Sequence, residues 1–247
     1  MKKLFVVFAL LLLAGCASQS TNDRADTQKR DSARIHTELG AGYFSQNQIA
    51  IALEEFTEAS KIDPSYALAH NGLGMVYAAL GEDTKADASF KRAISLEPNN
   101  AESRNNYGTF LCSRNRIDES ITQFMAAVKN PLYTTKDIAY LNAGICSLRK
   151  QDVDNAEVYF QNALQMQPLL HRASYELALI NFNRKKYGMA REYLRTPLIG
   201  SPSAEVLWLA IRVERQLGDR DAEASYALEL RRNYPDSEQT KALLSGQ

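Results

Sequence analysis

Glycine and proline are scarce in this chain of 247 residues, with 12 and 7 copies. Strand-rich domains rely on turns built from these residues, so the composition argues against a β-rich protein. An excess of one charge is also missing, because 29 basic and 29 acidic residues give a formal net charge of zero. Without a basic excess we expect neither a nucleic-acid partner nor a polybasic membrane patch.

The first residues have the three parts of an export signal. Lys2 and Lys3 precede a ten-residue apolar run, 4–13, and small residues follow it. A helix needs roughly 20 apolar residues to cross a bilayer, so this run is too short to be a membrane span. The order Leu13-Ala14-Gly15-Cys16 resembles the lipobox of bacterial lipoproteins, in which the cysteine is lipidated and becomes the new N-terminus.

This resemblance implies a signal peptide at 1–15 and a diacylglyceryl group and an acyl chain on Cys16. No Asp follows the cysteine, and in such lipoproteins that implies the outer membrane, with the protein on its periplasmic face. The alternative is an ordinary secreted protein whose cleavage site happens to carry a cysteine. Residues 17–32 lack any large apolar side chain, so 16–32 is predicted to be a lipidated cysteine and a flexible tether.

A set of seven residues returns after 34 positions. The first copy is Leu39, Gly40, Tyr43, Ala52, Phe56, Ala59 and Pro64, and the second is Leu73, Gly74, Tyr77, Ala86, Phe90, Ala93 and Pro98. This is the tetratricopeptide (TPR) pattern of paired helices, in which small residues allow close crossing and the proline ends the second helix. A generic helical bundle gives no reason for glycine, alanine and proline to return in one frame.

Extending this frame predicts an all-α, right-handed superhelical solenoid of about six helix-turn-helix repeats. The predicted repeats are 33–66, 67–100, 101–136, 137–170, 171–204 and 205–238, with 239–247 as a tail or helix extension. The third repeat contains two extra residues near Pro131. In the fifth repeat Pro197 stands where an alanine is expected, so its second helix should be shortened or broken there.

A solenoid of this type usually offers a concave groove to a peptide or a partner surface. The second, fifth, ninth and twelfth residues of each repeat should face it, and in repeats four and five these are mostly apolar. The candidate partner-binding residues are Asn71, Asn105, Ile138, Leu141, Ile145, Tyr175, Leu179 and Phe182. Apolar patches on soluble proteins are often binding sites. The alternative is that superhelical winding or the C-terminal segment covers them.

The sequence does not support an enzyme. His36, His70 and His171 form no ligand pair, and no phosphate-binding loop or nucleophile set is present. We therefore expect no catalytic residues, metal, cofactor or small-molecule substrate. Cys112 and Cys146 lie on the first helices of adjacent repeats with an axial offset of about 3 Å, so in an oxidising compartment they are candidates for a disulfide. The alternative is two free buried thiols.

Three segments are more specific than the repeat frame. These are Asn105 to Cys112, Pro131-Leu132-Tyr133, and Asn142 to Cys146. Together with the lipobox and six repeats, they resemble the type IV pilus biogenesis and stability lipoproteins, a family of pilotins called PilF or PilW. The resemblance implies that the partner is the secretin, the ring channel through which the pilus passes, and that the protein aids secretin localisation and assembly or pilus stability. The alternative is a periplasmic scaffold for cell-wall or outer-membrane protein assembly.

Overall fold

The computed structural model describes the backbone of residues 2–246 and the side chains of residues 24–246. Over these residues the protein has thirteen helices and no strand, which confirms the predicted all-α class. The helices are α1 (Lys2–Ser45), α2 (Ile49–Ile62), α3 (Ala67–Ala79), α4 (Asp83–Leu96), α5 (Ala101–Ser113), α6 (Ile117–Val128), α7 (Lys136–Arg149), α8 (Val153–Met166), α9 (His171–Asn183), α10 (Tyr187–Leu194), α11 (Ala204–Leu217), α12 (Arg220–Asn233) and α13 (Glu238–Leu244).

The helices form two compact units that divide within α5, between Phe110 and Leu111. In the N-terminal unit, α1 packs on α2, α2 on α3 and α3 on α4, and α1 also contacts α3. In the C-terminal unit, each helix from α6 to α12 packs on the next one, and α9 also contacts α11. Within each unit the helix pairs therefore stack in order, as the tetratricopeptide frame predicts.

Close crossing of the two helices in a repeat depends on a glycine that faces a phenylalanine. A Cβ atom built on Gly74 would lie 2.7 Å from the ring of Phe90, and one on Gly144 would lie 2.5 Å from the ring of Phe160. Both rings are fully buried. The missing side chain therefore creates the space that the aromatic ring fills, and any larger residue must displace that ring.

Each turn between the two helices of a repeat contains one residue with a positive φ. These residues are Asn47, Gly81, Asn115, Gln151, Lys185 and Gly218, with φ between 59° and 77°. The next residue then donates its N–H back into the preceding helix, as Lys186 does to the carbonyl of Asn181 at 2.9 Å. This closes the helix end with a Schellman-type bond even where the residue is neither Gly nor Asn.

The second helix of the fifth repeat is the shortest of its kind. α10 ends at Leu194, and buried Pro197 stands three residues later. The chain continues through a turn in which the Leu198 N–H donates to the Leu194 carbonyl at 3.1 Å. Proline has no N–H to donate and clashes with the preceding turn, so the predicted break is confirmed.

The predicted tether differs from the structure over the residues that can be compared. α1 is helical through residues 24–32, and the side chains of 24–31 are exposed. Asp26 pairs with Lys29 at 3.8 Å, and the Arg30 guanidinium lies 5.6 Å from the Tyr66 ring centroid. Because residues 33–45 are packed and already helical, extending their helix backwards avoids the cost of nucleation. The predicted signal segment and Cys16 lie outside the residues whose side chains are described.

The end of the chain is neither a tail nor an extension of the last repeat. α12 ends at Asn233, and α13 begins anew at Glu238. Pro235 interrupts the helix, and the Ser237 hydroxyl accepts the Thr240 N–H at 3.1 Å as an N-cap. Leu243 of α13 packs against Leu207, Ile211 and Leu230.

Candidate functional site

The predicted groove residues occupy two different environments. In the N-terminal unit Asn71 is buried, its side-chain amide approaches the Met75 sulfur at 3.8 Å, and its Oδ1 lies 3.4 Å from Asn106 Nδ2. Asn105 is half-buried. Asn71 is thus committed to contacts inside its own unit.

In the C-terminal unit the predicted apolar strip is half-buried, not open. Leu141 and Ile145 of α7 pack against a cluster that includes Leu177 and Ile180 of α9. Ile138 is also half-buried. One repeat further on, three α9 residues pack against α11 residues such as Leu209 and Val213, and these three are Tyr175, Leu179 and Phe182. Each first helix therefore covers much of the strip on the one before it.

A pocket of about 700 Å³ remains between the start of α9, the segment after α10 and the start of α11. Tyr175 and Leu179, two of the predicted groove residues, line it. The other apolar residues of its wall are Pro197, Pro202 and Val206. The break at Pro197 contributes to this pocket, because it turns the chain into the segment that forms one wall. We call it the α9–α11 pocket.

Charged groups of the pocket lie close to its apolar wall. Glu176 is 6% exposed, and one of its carboxylate oxygens lies 2.7 Å from Arg172 Nη2. The Arg172 guanidinium is also 6.0 Å from the Tyr175 ring centroid. Glu205 is exposed at the start of α11, where hydrogen bonds from the Ser203 hydroxyl and from its own backbone N–H lower its pKa.

Burial is the main influence on the pKa of two groups in this pocket, Glu176 and Tyr175. It raises the pKa of Glu176, and the contact with Arg172 does not reverse that effect. Burial also raises the pKa of Tyr175, and the nearby Glu176 and Glu205 charges raise it further. The negative charge of this buried carboxylate is only partly neutralised by one arginine. A second cation beside it would stabilise the charged form.

A second apolar surface lies in the N-terminal unit and was not predicted. Ile35 and Leu39 of α1 are 49% and 46% exposed, and together with Tyr43 they line a hollow of about 410 Å³. Their spacing of four residues places them on one face of α1. That spacing was visible in the sequence, but the repeat frame assigns Leu39 and Tyr43 to the packing of the helix pair. We call it the α1 face.

Cys112 and Cys146 are joined by a disulfide in the structure, with their Cα atoms 5.9 Å apart. Both sulfurs lie in a buried cluster with Ile117, Phe124 and Ala143. Arg149, one turn after Cys146, donates to the Cys112 carbonyl at 3.1 Å. The pairing thus links α5 to α7 next to the two-residue insertion, in which Leu132 is 86% exposed.

The remaining candidates for chemistry have structural partners. His36 Nδ1 lies 2.7 Å from the Glu55 carboxylate, and His70 Nε2 lies 3.0 Å from the Pro64 carbonyl. Among the described residues, no cluster of three or more His, Cys, Asp or Glu side chains could hold a metal ion. In the same part of the chain, no helix has both the length and the apolar character needed to cross a membrane.

Comparison with known proteins places these features in a family. Models of the tetratricopeptide repeat match residues 40–81, 67–100, 89–122 and 141–202. The chain is 32% identical over 236 residues to the type IV pilus assembly protein PilF of Pseudomonas aeruginosa, covering 94% of each chain.

Solved structures agree with this match. The structure of Pseudomonas aeruginosa PilF superposes with a TM-score of 0.80 at 29% identity, covering 89% of this chain and all of that one. The crystal structure of PilW, described as a widely conserved type IV pilus biogenesis factor, gives a TM-score of 0.74 at 34% identity, covering 86% and 98%.

Proposed function

The chain belongs to the PilF/PilW family of tetratricopeptide-repeat proteins of type IV pilus biogenesis, and we propose that within this process it acts as a pilotin. In this role it binds the secretin at the outer membrane and aids its localisation and assembly into multimers. The observation that carries the proposal is the match to PilF along 94% of both chains.

The Leu13-Ala14-Gly15-Cys16 segment supports a lipid anchor for this role. Lipidated at Cys16, the protein is held on the periplasmic face of the outer membrane, where the secretin is inserted. The repeats then supply binding surface and no chemistry, in keeping with a family of scaffolds and adaptors.

The proposal is tested by counting secretin multimers in outer-membrane fractions of cells with and without the protein. We expect the deletion strain to lose most multimers and the wild-type gene to restore them. Cys16→Ala should yield a folded but unanchored protein, with multimers reduced or found in the wrong membrane. Normal multimers in the deletion strain would exclude a pilotin, and cell-wall or outer-membrane assembly defects would then favour the periplasmic scaffold.

Two surfaces are candidates for secretin binding, and they are separable by mutation. Ile35→Ser with Leu39→Ser alters the α1 face, whereas Tyr175→Ser with Leu179→Ser alters the α9–α11 pocket. Val158→Ser is a matched control, because Val158 is also a half-exposed apolar residue on a helix of the repeats, α8. The exposed α1 pair should leave the melting temperature nearly unchanged, while the half-buried pocket pair should lower it. The surface whose change reduces secretin binding beyond its effect on folding is the binding surface.

A further inference from the structure

We propose that the α9–α11 pocket binds a basic side chain, lysine or arginine, from an extended segment of a protein partner. The aliphatic stem of that side chain would lie on Leu179 and Val206, and its charged end would lie between Glu176 and Glu205. That the partner belongs to pilus assembly rests on the proposed function, whereas the preference for a cation rests on the pocket alone.

The pocket has room for a long side chain together with the adjoining backbone of an extended segment. At about 700 Å³ it is in the range of sites that bind small ligands. Its wall combines Tyr175 and Leu179 with Val206, and these groups match the methylene stem of a long basic residue. An aromatic ring next to two carboxylates is also a favourable neighbour for a cation.

The charge count of the lining favours a cation over an anion. Glu176 and Glu205 stand against Arg172, so with His171 counted as neutral the lining carries one surplus negative charge. Glu176 is almost fully buried, and desolvation leaves its charge poorly compensated. A second positive group at this carboxylate would reduce that cost.

A second buried carboxylate, that of Glu214, has both of its oxygens paired with an arginine. Glu214 is 4% exposed, and the Arg191 guanidinium binds both of its oxygens, through Nε at 3.0 Å and through Nη2. Arg191 Nη2 also approaches Asp219 at 3.3 Å. Glu176 is instead paired through one oxygen with a guanidinium whose side chain is 61% exposed. The contrast identifies Glu176 as the carboxylate with capacity for another donor.

An anion is the alternative ligand for this pocket, and the helix ends that would attract it are its main support. Both α9 and α11 begin at the pocket, and helix N-termini attract negative charge. However, Glu205 already accepts hydrogen bonds from the Ser203 hydroxyl and from its own N–H in the first turn of α11. An incoming anion would therefore meet two carboxylates at close range, where the repulsion outweighs the attraction of a partly satisfied helix end.

The internal arginine shows that a guanidinium suits this environment. Arg172 lies against the Tyr175 ring and binds Glu176 at the same time. A partner arginine would repeat this arrangement on the side of Glu205.

The test uses the purified full-length protein in detergent and three blocked peptides labelled with a fluorophore. Their sequences are Ala-Leu-Arg-Leu-Ala, the same peptide with neutral citrulline, and the same peptide with glutamate. Fluorescence anisotropy should give a Kd for the arginine peptide at least about tenfold lower than for the citrulline peptide, with the glutamate peptide weakest. Equal binding of arginine and citrulline peptides, stronger binding of the glutamate peptide, or no binding at all would overturn the proposal.

Two variants assign the effect to the pocket. Glu176→Gln and Glu205→Gln should each weaken the arginine peptide about tenfold and leave the citrulline peptide unchanged. Glu205 is exposed, so its replacement does not threaten folding, and thermal unfolding checks Glu176→Gln. Glu192→Gln is the matched control, because Glu192 is an exposed α10 carboxylate paired only locally with Arg195 at 3.2 Å. A loss in the control as large as in the pocket variants would place the binding elsewhere.

The same variants separate this inference from the proposed function. If deleting the gene leaves secretin multimers normal while the arginine peptide still binds, the pilotin role fails and the pocket stands. If deletion removes the multimers but the peptides show no charge preference, the pocket proposal fails and the pilotin role stands.

Discussion

The buried polar side chains of the N-terminal unit are neutral among the described residues, namely Thr37, Asn71 and Ser103, whereas the C-terminal unit buries two carboxylates, Glu176 and Glu214. The disulfide also lies in the C-terminal unit. That unit contains the departures from the repeat pattern, including the insertion at Pro131 and the break at Pro197. Where the pattern is kept, glycine and phenylalanine packing holds the helix pairs together. Where it is lost, buried ionic contacts and a covalent one appear.

One position of the repeat shows the change along the chain. The residue seven before the positive-φ residue of the turn is Gly74, then Gly144, Ala178 and Ile211, and the residue seven after the start of the second helix is Phe90, Phe160, Leu194 and Ala227. Leu194 is fully buried near Ala178. In the last repeat Ile211 is fully buried, and Ala227 packs against the same cluster. As the residue on the first helix grows, its partner on the second helix shrinks.

The largest effect is expected where this packing is tightest. Phe90→Ala should reduce the free energy of unfolding by about 3–5 kcal/mol, because the ring is 1% exposed and its centroid lies 5.5 Å from those of Tyr107 and Phe110. Leu228→Ala, at an exposed position of α12, should change it by less than about 0.5 kcal/mol. Denaturant unfolding measures both, and similar losses for the two variants would contradict the comparison.

The covalent contact should come next. Replacing Cys112 and Cys146 together by alanine should cost about 3–4 kcal/mol, from the chain entropy that closing a loop of this length removes. Hydrogen exchange should show the loss in peptides from α7 and little change in peptides from α3. Peptide mapping without reductant should first identify the cross-linked pair in protein exported to the periplasm.

Reductant supplies the control for that experiment. It should destabilise the wild type and leave the double alanine variant unaffected. Two free thiols in the exported protein, or a variant as stable as the wild type, would show that the C-terminal unit does not depend on this bond.

A double-mutant cycle tests whether glycine and phenylalanine are coupled in size. Gly144→Ala should cost about 1–2 kcal/mol, because overpacking against Phe160 outweighs the better helix propensity of alanine. Adding Phe160→Leu reproduces the alanine and leucine pair of the fifth repeat. The double variant should therefore be at least about 1 kcal/mol more stable than the two single effects predict. Simple additivity would mean that the two positions vary independently.

A smaller gain is expected at a turn. Lys185 has a φ of 60°, which costs a side-chain-bearing residue more than it costs glycine. Lys185→Gly should therefore raise the free energy of unfolding by about 0.5–1 kcal/mol. Lys186→Gly is the control, because Lys186 has a φ of −87° and gains nothing from the exchange. Thermal unfolding distinguishes them, and a loss on Lys185→Gly would show that its side chain contributes more than its backbone costs.

The smallest effect concerns pH and the buried carboxylate of the C-terminal unit. Because burial raises the pKa of Glu176 above its usual 4.5, the folded state holds this proton more tightly than the unfolded state. The stability contribution is therefore complete below about pH 4.5 and is lost as pH rises through the folded pKa. Glu176→Gln removes this titration, so its stability relative to the wild type should increase over that interval.

Urea unfolding at pH values from 4 to 7 measures that difference. Glu192→Gln, at an exposed carboxylate of α10, is the control. If the Glu176→Gln variant becomes less stable relative to the wild type as pH rises, the ion pair with Arg172 outweighs the cost of burial.

The sequence predicted the helix pairs because their spacing follows from local steric requirements. Glycine opposite phenylalanine and proline after the second helix act within one repeat, and Pro197 breaks α10 without reference to other parts of the molecule. The open groove could not be predicted in the same way. Whether Tyr175 is exposed depends on how α11 packs against α9, and no spacing rule within α9 contains that information.

The pocket and the α1 face were missed for related reasons. Glu176 is a charged residue on a helix, which composition alone would assign to solvent, and only the packing of neighbouring helices buries it. The helical continuation of α1 through residues 24–32 depends on its packed second half. Ile35 and Leu39 stay exposed because no described helix covers that side of α1.

α13 gives this array a defined length. It begins at Glu238, 34 residues after α11 begins at Ala204, where the first helix of a seventh repeat would start. Its seven residues are enough for Leu243 to cover Leu207, Ile211 and Leu230. An uncovered final repeat would present that apolar face to the next molecule, and head-to-tail contacts of this kind continue into fibres. A short closing helix therefore leaves the last repeat without an open apolar face for such stacking.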